Sequence, residues 1–487
     1  MASTSESTSI ANLHIAIVGA GMGGLATALA LAHHGFQHIS VYESAKDLGF
    51  VGAGIQVAPN LSRQLEKLGV WRYMGADAVD LESADVRGGC STFRVNTILE
   101  DAKLTASAAG ATDEVLTTVQ LTHIAGQYGQ PHRVWPSPPH RLCPSTVTHA
   151  QVAHRSALAN ALYKGCKAFS PHIISIHFAS PVSDIDLSSP SNPKLLVNST
   201  WIAADLILGA DGIKSIVRSR LLALHNEVDG ARDTGQAAYR IMLTREQIQP
   251  QNDSNLLALL DAPASVRWIA PHRHIIAYPI SAHSILNIST TQPDTNFASA
   301  PGVTYTTRAS KDAMLAVFAD FCPLVQRMLR LAPDEEVCEW RLTVQDPLPH
   351  WTLGNVALLG DACHPTLPHL GQGAAQAIED GVVLALLLSK VDAKQDIPAA
   401  LRVYERLRKP RTEFLVAQAA AASRSLHLTD PAAQAKRDEA FRRVASGGAN
   451  PDKWIDREVQ DFVYGFDCVA DAEEKWESLF AEEGKRV

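Results

Sequence analysis

Absences narrow this sequence before any motif does. No C-x-x-C pair occurs, and the seven cysteines (Cys90, Cys143, Cys166, Cys322, Cys338, Cys363, Cys468) are scattered and odd in number. That pattern excludes a disulfide scaffold or a zinc ribbon and points to free thiols in a reducing compartment. No long Lys/Arg run or basic stripe interleaved with aromatics is present, and a net charge of −8 is mild for 487 residues, so a nucleic-acid partner is not expected. No apolar run reaches membrane-spanning length. Residues 1–12 are Ser/Thr-rich, lack a basic n-region and an apolar h-region, and read as a disordered leader. The ending Gly484-Lys485-Arg486-Val487 is neither a prenylation box nor a peroxisomal tripeptide. The expectation is a cytoplasmic protein with no membrane partner. With 46% hydrophobic and 19% charged residues over this length, the chain can bury a large core and form two or more domains.

What is present begins at residues 13–18, Leu-His-Ile-Ala-Ile-Val, a β-branched run suited to a buried parallel strand. It leads into Gly19-Ala20-Gly21-Met22-Gly23-Gly24, then an Ala/Leu-rich helical stretch over 25–34, then a second strand over 39–42 that ends at Glu43. This is the order and spacing of a βαβ dinucleotide-binding unit. Gly19 permits the tight turn, Gly21 lets a pyrophosphate approach the backbone, and Gly24 lets the helix pack on the strand. Glu43 would accept hydrogen bonds from both ribose hydroxyls and repel a 2′-phosphate, so the site suits FAD or NAD and not NADP.

Two further motifs follow. Residues 204–218, Ala-Asp-Leu-Ile-Leu-Gly-Ala-Asp-Gly-Ile-Lys-Ser-Ile-Val-Arg, read as a buried strand, an Asp211-Gly212 turn and a helix start with Ser215 in its first turn. Residues 356–376 run from a strand through Gly360-Asp361-Ala362-Cys363-His364-Pro365 and a proline-stiffened loop to Gly371-Gln372-Gly373-Ala374-Ala375-Gln376, ahead of an apolar helix over 377–388. A strand thus delivers the carboxylate of Asp361 to a cleft that a Gly/Ala-rich helix N-terminus also faces. Near the first motif, Val51-Gly52-Ala53-Gly54 implies backbone passing close to something flat or anionic.

These ordered segments resemble the group A FAD-dependent aromatic monooxygenases, the para-hydroxybenzoate hydroxylase class, and within it the fungal salicylate hydroxylase-like members. The resemblance covers residues 13–388 and continues loosely through 400–411 and 450–467. It implies that Glu43 holds the adenosine ribose, that Ala53 and Gly54 lie near the flavin, and that Arg155 (in Ala-His-Arg-Ser-Ala-Leu) holds the cofactor. Asp211 would serve FAD and NAD(P)H, Asp361 the ribityl chain, and Gly373, Ala374 and Ala375 the flavin pyrimidine ring. Pro368 matches the proline at the reactive edge of the isoalloxazine. The implied activity inserts one oxygen atom of O2 into a phenolic or salicylate-like small molecule through a flavin C4a-hydroperoxide, with FAD as cofactor and NADH or NADPH as transient co-substrate.

Reduced flavin is an anion, so a helix N-terminus near Gly373 aimed at its N1/C2 edge would stabilise the reduced state. Electrophilic hydroxylation favours an ionised phenol, which calls for Tyr, His or Arg at the pocket. Tyr239 and Arg240, in Gln-Ala-Ala-Tyr-Arg-Ile-Met, resemble the family's aromatic-Arg pair beside the substrate, and Arg218 could also reach the cleft. The bland alternatives are a half-buried sheet tyrosine and arginines paired on a domain seam. His272 and His274 read as turn and strand residues, and Trp268 as core. Cys363 and His364 adjoin but have no partner set nearby, so no metal is expected.

The fold expected is α/β: a discontinuous Rossmann-like FAD-binding domain (13–85, 150–222, 352–412), a β-sheet substrate domain (86–149, 223–351) and a C-terminal helical segment (413–487). Period-two strands over 275–280 and 285–290 would roof the flavin. Residues 99–148 form a long insertion. The chain would be a monomer or homodimer. An epoxidase or dearomatising oxygenase on the same scaffold is the alternative chemistry, and a plain NAD-dependent dehydrogenase would leave the second and third motifs unexplained.

Overall fold

Four residues of strand His14–Val18 (Ile15, Ala16, Ile17, Val18) are buried, as a strand with parallel neighbours on both sides and helices on both faces requires. It pairs in parallel with Leu206–Gly209 and with His38–Tyr42. Parallel pairing continues outward to Val356–Leu358 and to Ile174–His177, and the short strand Thr352–Leu353 closes one edge antiparallel. The resulting six-stranded sheet takes its strands from segments hundreds of residues apart, so the nucleotide unit is discontinuous. The structure is a computed structural model that describes residues 10–48, 54–74, 79–81, 83–88, 115–120, 150–297, 306–334 and 337–485. Ala53, residues 1–9 of the leader and all of the 99–148 insertion except 115–120 lie outside the described residues. Ile10–Asn12, expected within the leader, forms a 3-10 turn with Ile10 against the core.

An eight-stranded sheet stands over the first. Its order is Thr306–Arg308, Cys338–Gln345, Ala231–Thr244, Ile285–Pro293, Arg273–Ile280, Ala264–Ala270, Ser83–Gly88, Val115–Gln120. Ser83–Gly88 straddles the boundary expected at residue 85. It pairs parallel to Ala264–Ala270, a long-range pairing that leaves no local mark on its sequence.

Alternation explains how this sheet serves two environments. Tyr239, Trp268, Ile275, Ala277, Leu286 and Ile288 lie on one face, in an apolar core with Phe318, Met328 and Leu329. Arg240, Arg267, His274, Tyr278 and Ser289, each one residue out of phase, lie on the other and line a cavity.

Helix Gly373–Leu388 packs on helix Met22–His33 and on Ile397–Leu426. The last is 30 residues long and contains Pro410, so the boundary expected at residue 412 falls inside a helix. Proline removes one backbone donor, yet the helix runs on: the single Thr412 hydroxyl hydrogen is shared between the carbonyls of Arg408 (3.2 Å) and Lys409 (3.1 Å), and Arg408 and Arg411 anchor the helix on both sides of the proline. Arg408 donates from Nε to Asp380 Oδ1 (2.8 Å) and from Nη1 to Glu379 Oε2 (2.8 Å), and Arg411 Nε donates to Glu379 Oε2 (3.0 Å).

Burial pushes the Asp380 carboxyl up, but the charges of His364 and Arg408 outweigh it and hold the pKa at about 2, against 3.8 for an ordinary aspartate. A folded-state pKa below the unfolded one contributes stability that is complete above the unfolded value and is lost as pH falls through the folded value. The shift is worth about 2 kcal/mol. Denaturant midpoints measured from about pH 5 down to about pH 2 should therefore fall, and fall less in Asp380→Asn.

Candidate active site

Between the two sheets lies a cavity of about 380 Å³. At one end the loop after His14–Val18 exposes Gly21 and Met22. Gly19 has φ +100, and a Cβ there would meet the Ala210 carbonyl oxygen at 2.5 Å, while a Cβ on Gly24 would meet that of Gly19 at 2.0 Å. Both positions therefore exclude a side chain. At Gly21, by contrast, a Cβ would meet nothing within 4 Å, because the position opens into the cavity. Glu43 closes this loop: its Oε2 accepts from Ala20 N (2.8 Å) and its Oε1 from Ala45 N (2.8 Å).

On the floor, Asp361 sits in the 3-10 turn Gly360–Ala362 and faces the cavity. Its side chain is accessible from the cavity, and the protein crowded around it raises its pKa, with His364 and Arg155 pulling it down. Pro368 opens a second turn, Pro368–Leu370, which Gly371 ends at φ +63. The helix Gly373–Leu388 then begins with Gly373 and Ala374 on the cavity wall. No side chain caps it and no acid stands in its first turn, so its free amides present a positive end to the cavity. Ala375 is buried behind them.

The walls carry guanidinium groups. Arg155, Arg240 and Arg267 line the cavity. Arg155 Nε is buried without a partner, and Arg240 makes no hydrogen bond or ion pair among the described residues. Burial lowers the pKa of Arg240, with Tyr278 opposing, and burial pushes Tyr278 up to about 12. Gly54 N donates to Asn287 Oδ1 (2.6 Å), tying the strand Gly54–Val57 to the roof.

Gly19, Gly24, Glu43 and Ala375 lie beside the cavity without lining it, and three more of the expected site residues stand elsewhere. Tyr239 is fully buried on the apolar face of the roof, edge-on to Phe318 at 6.4 Å, because alternation sends neighbours 239 and 240 to opposite faces. Arg218 is spent on structure: Nε donates to Asp229 (3.0 Å), Nη1 to the Ala362 carbonyl (3.1 Å) and Nη2 to the Ile213 carbonyl (2.6 Å). It braces the turn that carries Asp361. Asp211 caps helix Ile216–Leu224, accepting from Ser215 Oγ (2.5 Å), Ile216 N (2.8 Å) and Val217 N (3.2 Å), and its neighbour Gly212 lines the cavity.

Sequence reading missed Arg267, His369 and Trp454 and took His274 as a plain strand residue, yet all four line the cavity. The period-two pattern around Arg267 and His274 could have flagged them. Nothing local marks Trp454, which arrives from the C-terminal segment and donates through Nε1 to Gln56 Oε1 (2.8 Å). Sequence reading also found no partner for Cys363 and His364; Asp380, from the next helix, brings three ligand-type atoms within 4.8 Å. Both Asp380 oxygens are already engaged, Oδ2 by His364 Nε2 (2.6 Å) and Gly360 N (2.9 Å), and Oδ1 by Arg408.

A parallel nucleotide-binding sheet, a polar-faced roof sheet and a cationic cavity between them define a dinucleotide-dependent redox enzyme. Residues 325–419 match the FAD binding domain family and residues 17–70 the NAD(P)-binding Rossmann-like domain family. The chain is 32% identical over 450 residues to the FAD-dependent monooxygenase atnJ of Arthrinium sp, covering 92% of this chain and 93% of that protein. It is 29% identical over 418 residues to hispidin-3-hydroxylase of Neonothopanus nambi, covering 84% and 87%. A solved salicylate hydroxylase substrate complex superposes with a TM-score of 0.70 at 22% identity, over 95% of this chain and 98% of that one. The chain belongs to the FAD-dependent monooxygenases. Its own residues fit that cofactor: glycines leave room for a pyrophosphate, and an unpartnered guanidinium and an uncapped helix mouth suit an anionic ring. Among the described residues, no helix is long and apolar enough to cross a membrane.

Proposed function

We propose that this enzyme hydroxylates a phenolic or salicylate-like ring with one atom of O2, consuming NADH or NADPH. The observation that carries the reading is the uncapped mouth of helix Gly373–Leu388 opening into the same cavity as Gly21 and the polar roof. The names of the relatives, one a hispidin hydroxylase and one solved structure a salicylate hydroxylase, support a ring as substrate. Bound FAD supplies the redox chemistry and the activation of dioxygen. The chain's residues do the rest: Gly19, Gly21 and Gly24 seat the pyrophosphate, Glu43 the ribose, Arg155 and Asp361 the middle of the cofactor, and Gly373 and Ala374 the ring. Pro368 shapes the reactive edge, and the two sheets exclude water. Arg240 is the substrate-side cation. None of the described cysteines, Cys166, Cys322, Cys338, Cys363 and Cys468, is in a disulfide, which suits work in the reducing cytoplasm, and the assembly proposed is a monomer or homodimer.

A panel of phenols and hydroxybenzoates should include members that accelerate NAD(P)H oxidation and give a product carrying one labelled oxygen from 18O2 on a ring carbon. Label at a non-aromatic carbon would move the chemistry to an epoxidase or dearomatising oxygenase. For a carboxylate-bearing substrate, Arg240→Met should raise KM by about 10–100-fold with FAD retained, the loss of one charge-assisted contact. An unchanged KM would remove Arg240 from the substrate.

A further inference from the structure

One indole is held by three parts of the fold. Trp454, in the C-terminal segment, is 8% exposed and lines the cavity. Its Nε1 donates to Gln56 Oε1 (2.8 Å) on strand Gly54–Val57, and Gln56 Nε2 donates to the Tyr464 hydroxyl (3.1 Å). Its backbone amide donates to Asp452 Oδ1 (3.1 Å), and its carbonyl accepts from Gln460 Nε2 (3.2 Å) of helix Arg457–Tyr464. Asp452 Oδ2 in turn accepts from Arg267 of the roof, whose guanidinium carbon stands 5.3 Å from the centroid of the indole. Strand, roof and C-terminal helix together lock the rotamer of the ring.

Its place along the cavity follows from its neighbours. A Cβ on Gly23, in the first turn of helix Met22–His33, would lie 3.1 Å from the Cβ of Ala377, one turn inside helix Gly373–Leu388, whereas a Cβ on Gly371, just before that helix, would strike Gln56 Oε1. The pyrophosphate end and the indole therefore stand on opposite sides of the helix mouth, and the indole closes the end left to the substrate. Behind it is a second, much smaller cavity of about 10 Å³, room for a single water, walled by Leu370, Val459, Val463 and Tyr464. Trp454 and Gln372 line both cavities and so form the partition between them. Elsewhere at this end the C-terminal segment packs directly on cavity-lining side chains, with the His427 ring 5.0 Å from that of His274 and 5.9 Å from that of His369.

We propose that Trp454 determines the size of substrate this enzyme takes: its indole is the wall at which the substrate ring stops, and it excludes substrates carrying a second ring, or an apolar group of that bulk, on the side facing the C-terminal segment. This rests on the aromatic reading above and gives it a size limit. Asp452 cancels the charge of Arg267, so an anionic substituent is left to Arg240, and the apolar part of the ring faces Trp454. A mobile side chain would yield to a larger ligand, but a locked indole is a repulsive element against it. Truncating the indole joins the cavity to the apolar space between Leu370, Val459 and Val463, and the excluded group then gains a pocket of its own.

The test titrates full-length, FAD-loaded, oxidised enzyme with salicylate, 4-phenylsalicylate and 5-phenylsalicylate, read by the perturbation of flavin absorbance. The wild type should bind salicylate at least about tenfold more tightly than either phenyl derivative. In Trp454→Ala the ratio of dissociation constants should shift by at least about tenfold toward one of the derivatives, with salicylate itself changing by less. Each ratio is taken within one protein, so a general loosening of the fold, which weakens all three ligands alike, does not move it. Trp454→Phe keeps a ring in place but gives up the Nε1 bond to Gln56, and it should shift the ratio in the same direction by less. If Trp454→Ala fails to retain FAD, Trp454→Phe decides alone. A wild type that binds the phenyl derivatives as well as salicylate, a ratio unchanged in the variants, or no binding of any of the three overturns the wall. The aromatic reading fails separately, if no ring compound stimulates NAD(P)H oxidation.

Discussion

Arg408→Leu is expected to cost about 3–5 kcal/mol of stability, the toll of stranding buried carboxylates. Arg408 is 1% exposed, and Glu379 and Asp380, its partners on helix Gly373–Leu388, are 1% and 0% exposed. The same guanidinium donates from Nη2 to Gln376 Oε1 (2.7 Å), so one side chain ties together residues on one face, spanning a single turn of that helix. Removing it leaves Arg411 opposite Glu379 and His364 opposite Asp380, each holding half of what was shared. The effect should reach the cavity, because Asp380 Oδ2 also accepts from Gly360 N, one residue before Asp361. Chemical denaturation should show the lowered midpoint, and the flavin absorbance of the folded fraction should show weaker FAD retention. Asp380→Asn combined with Arg408→Leu should recover part of the loss. A loss below about 1 kcal/mol in Arg408→Leu, the size of a surface pair, would mean that water reaches the network.

The first half of the site was open to reading because its constraints are local. Gly19, Gly21, Gly24 and Glu43 fall within 25 residues, and each residue type answers to backbone sterics or a single hydrogen bond. The mouth at Gly373 was legible for the same reason: a Gly/Ala helix start without an acid leaves its amides open, and open amides suit an anion. Tyr239 and Arg240 were adjacent and both chemically apt, and a strand can turn only one of them to the cavity. Without knowing which face of the sheet meets the apolar helices Lys311–Val317 and Pro323–Arg330, the choice was not available. Arg218 shows a related limit. Its sequence context places it at the cleft, but its guanidinium is taken up by Asp229 and the Ile213 carbonyl nearby in the chain and by the Ala362 carbonyl far from it. The His274, His369 and His427 cluster depends on three segments meeting, as does Asp380 joining Cys363 and His364. No spacing rule along the chain contains such meetings.

Gly21→Val and Gly24→Val should separate cofactor binding from folding. At Gly21 the backbone has φ −67 and ψ 179, a conformation valine adopts freely, and a Cβ would meet no protein atom within 4 Å. The apoprotein should therefore keep its thermal midpoint. A pyrophosphate seated on the helix Met22–His33 would meet the new methyl groups, and an overpacked contact of about 1–3 kcal/mol weakens FAD by about 10–100-fold. At Gly24 the clash is with the carbonyl of Gly19, 2.0 Å from the Cβ position, and backbone cannot swing aside. Gly24→Val must push the helix off strand His14–Val18, so it should lose FAD and lower the apoprotein midpoint together. Apoprotein melting and FAD titration followed by flavin fluorescence measure the two quantities independently. If Gly21→Val binds FAD as the wild type does, no phosphate lies at this loop, and the cofactor must enter the cavity by another end.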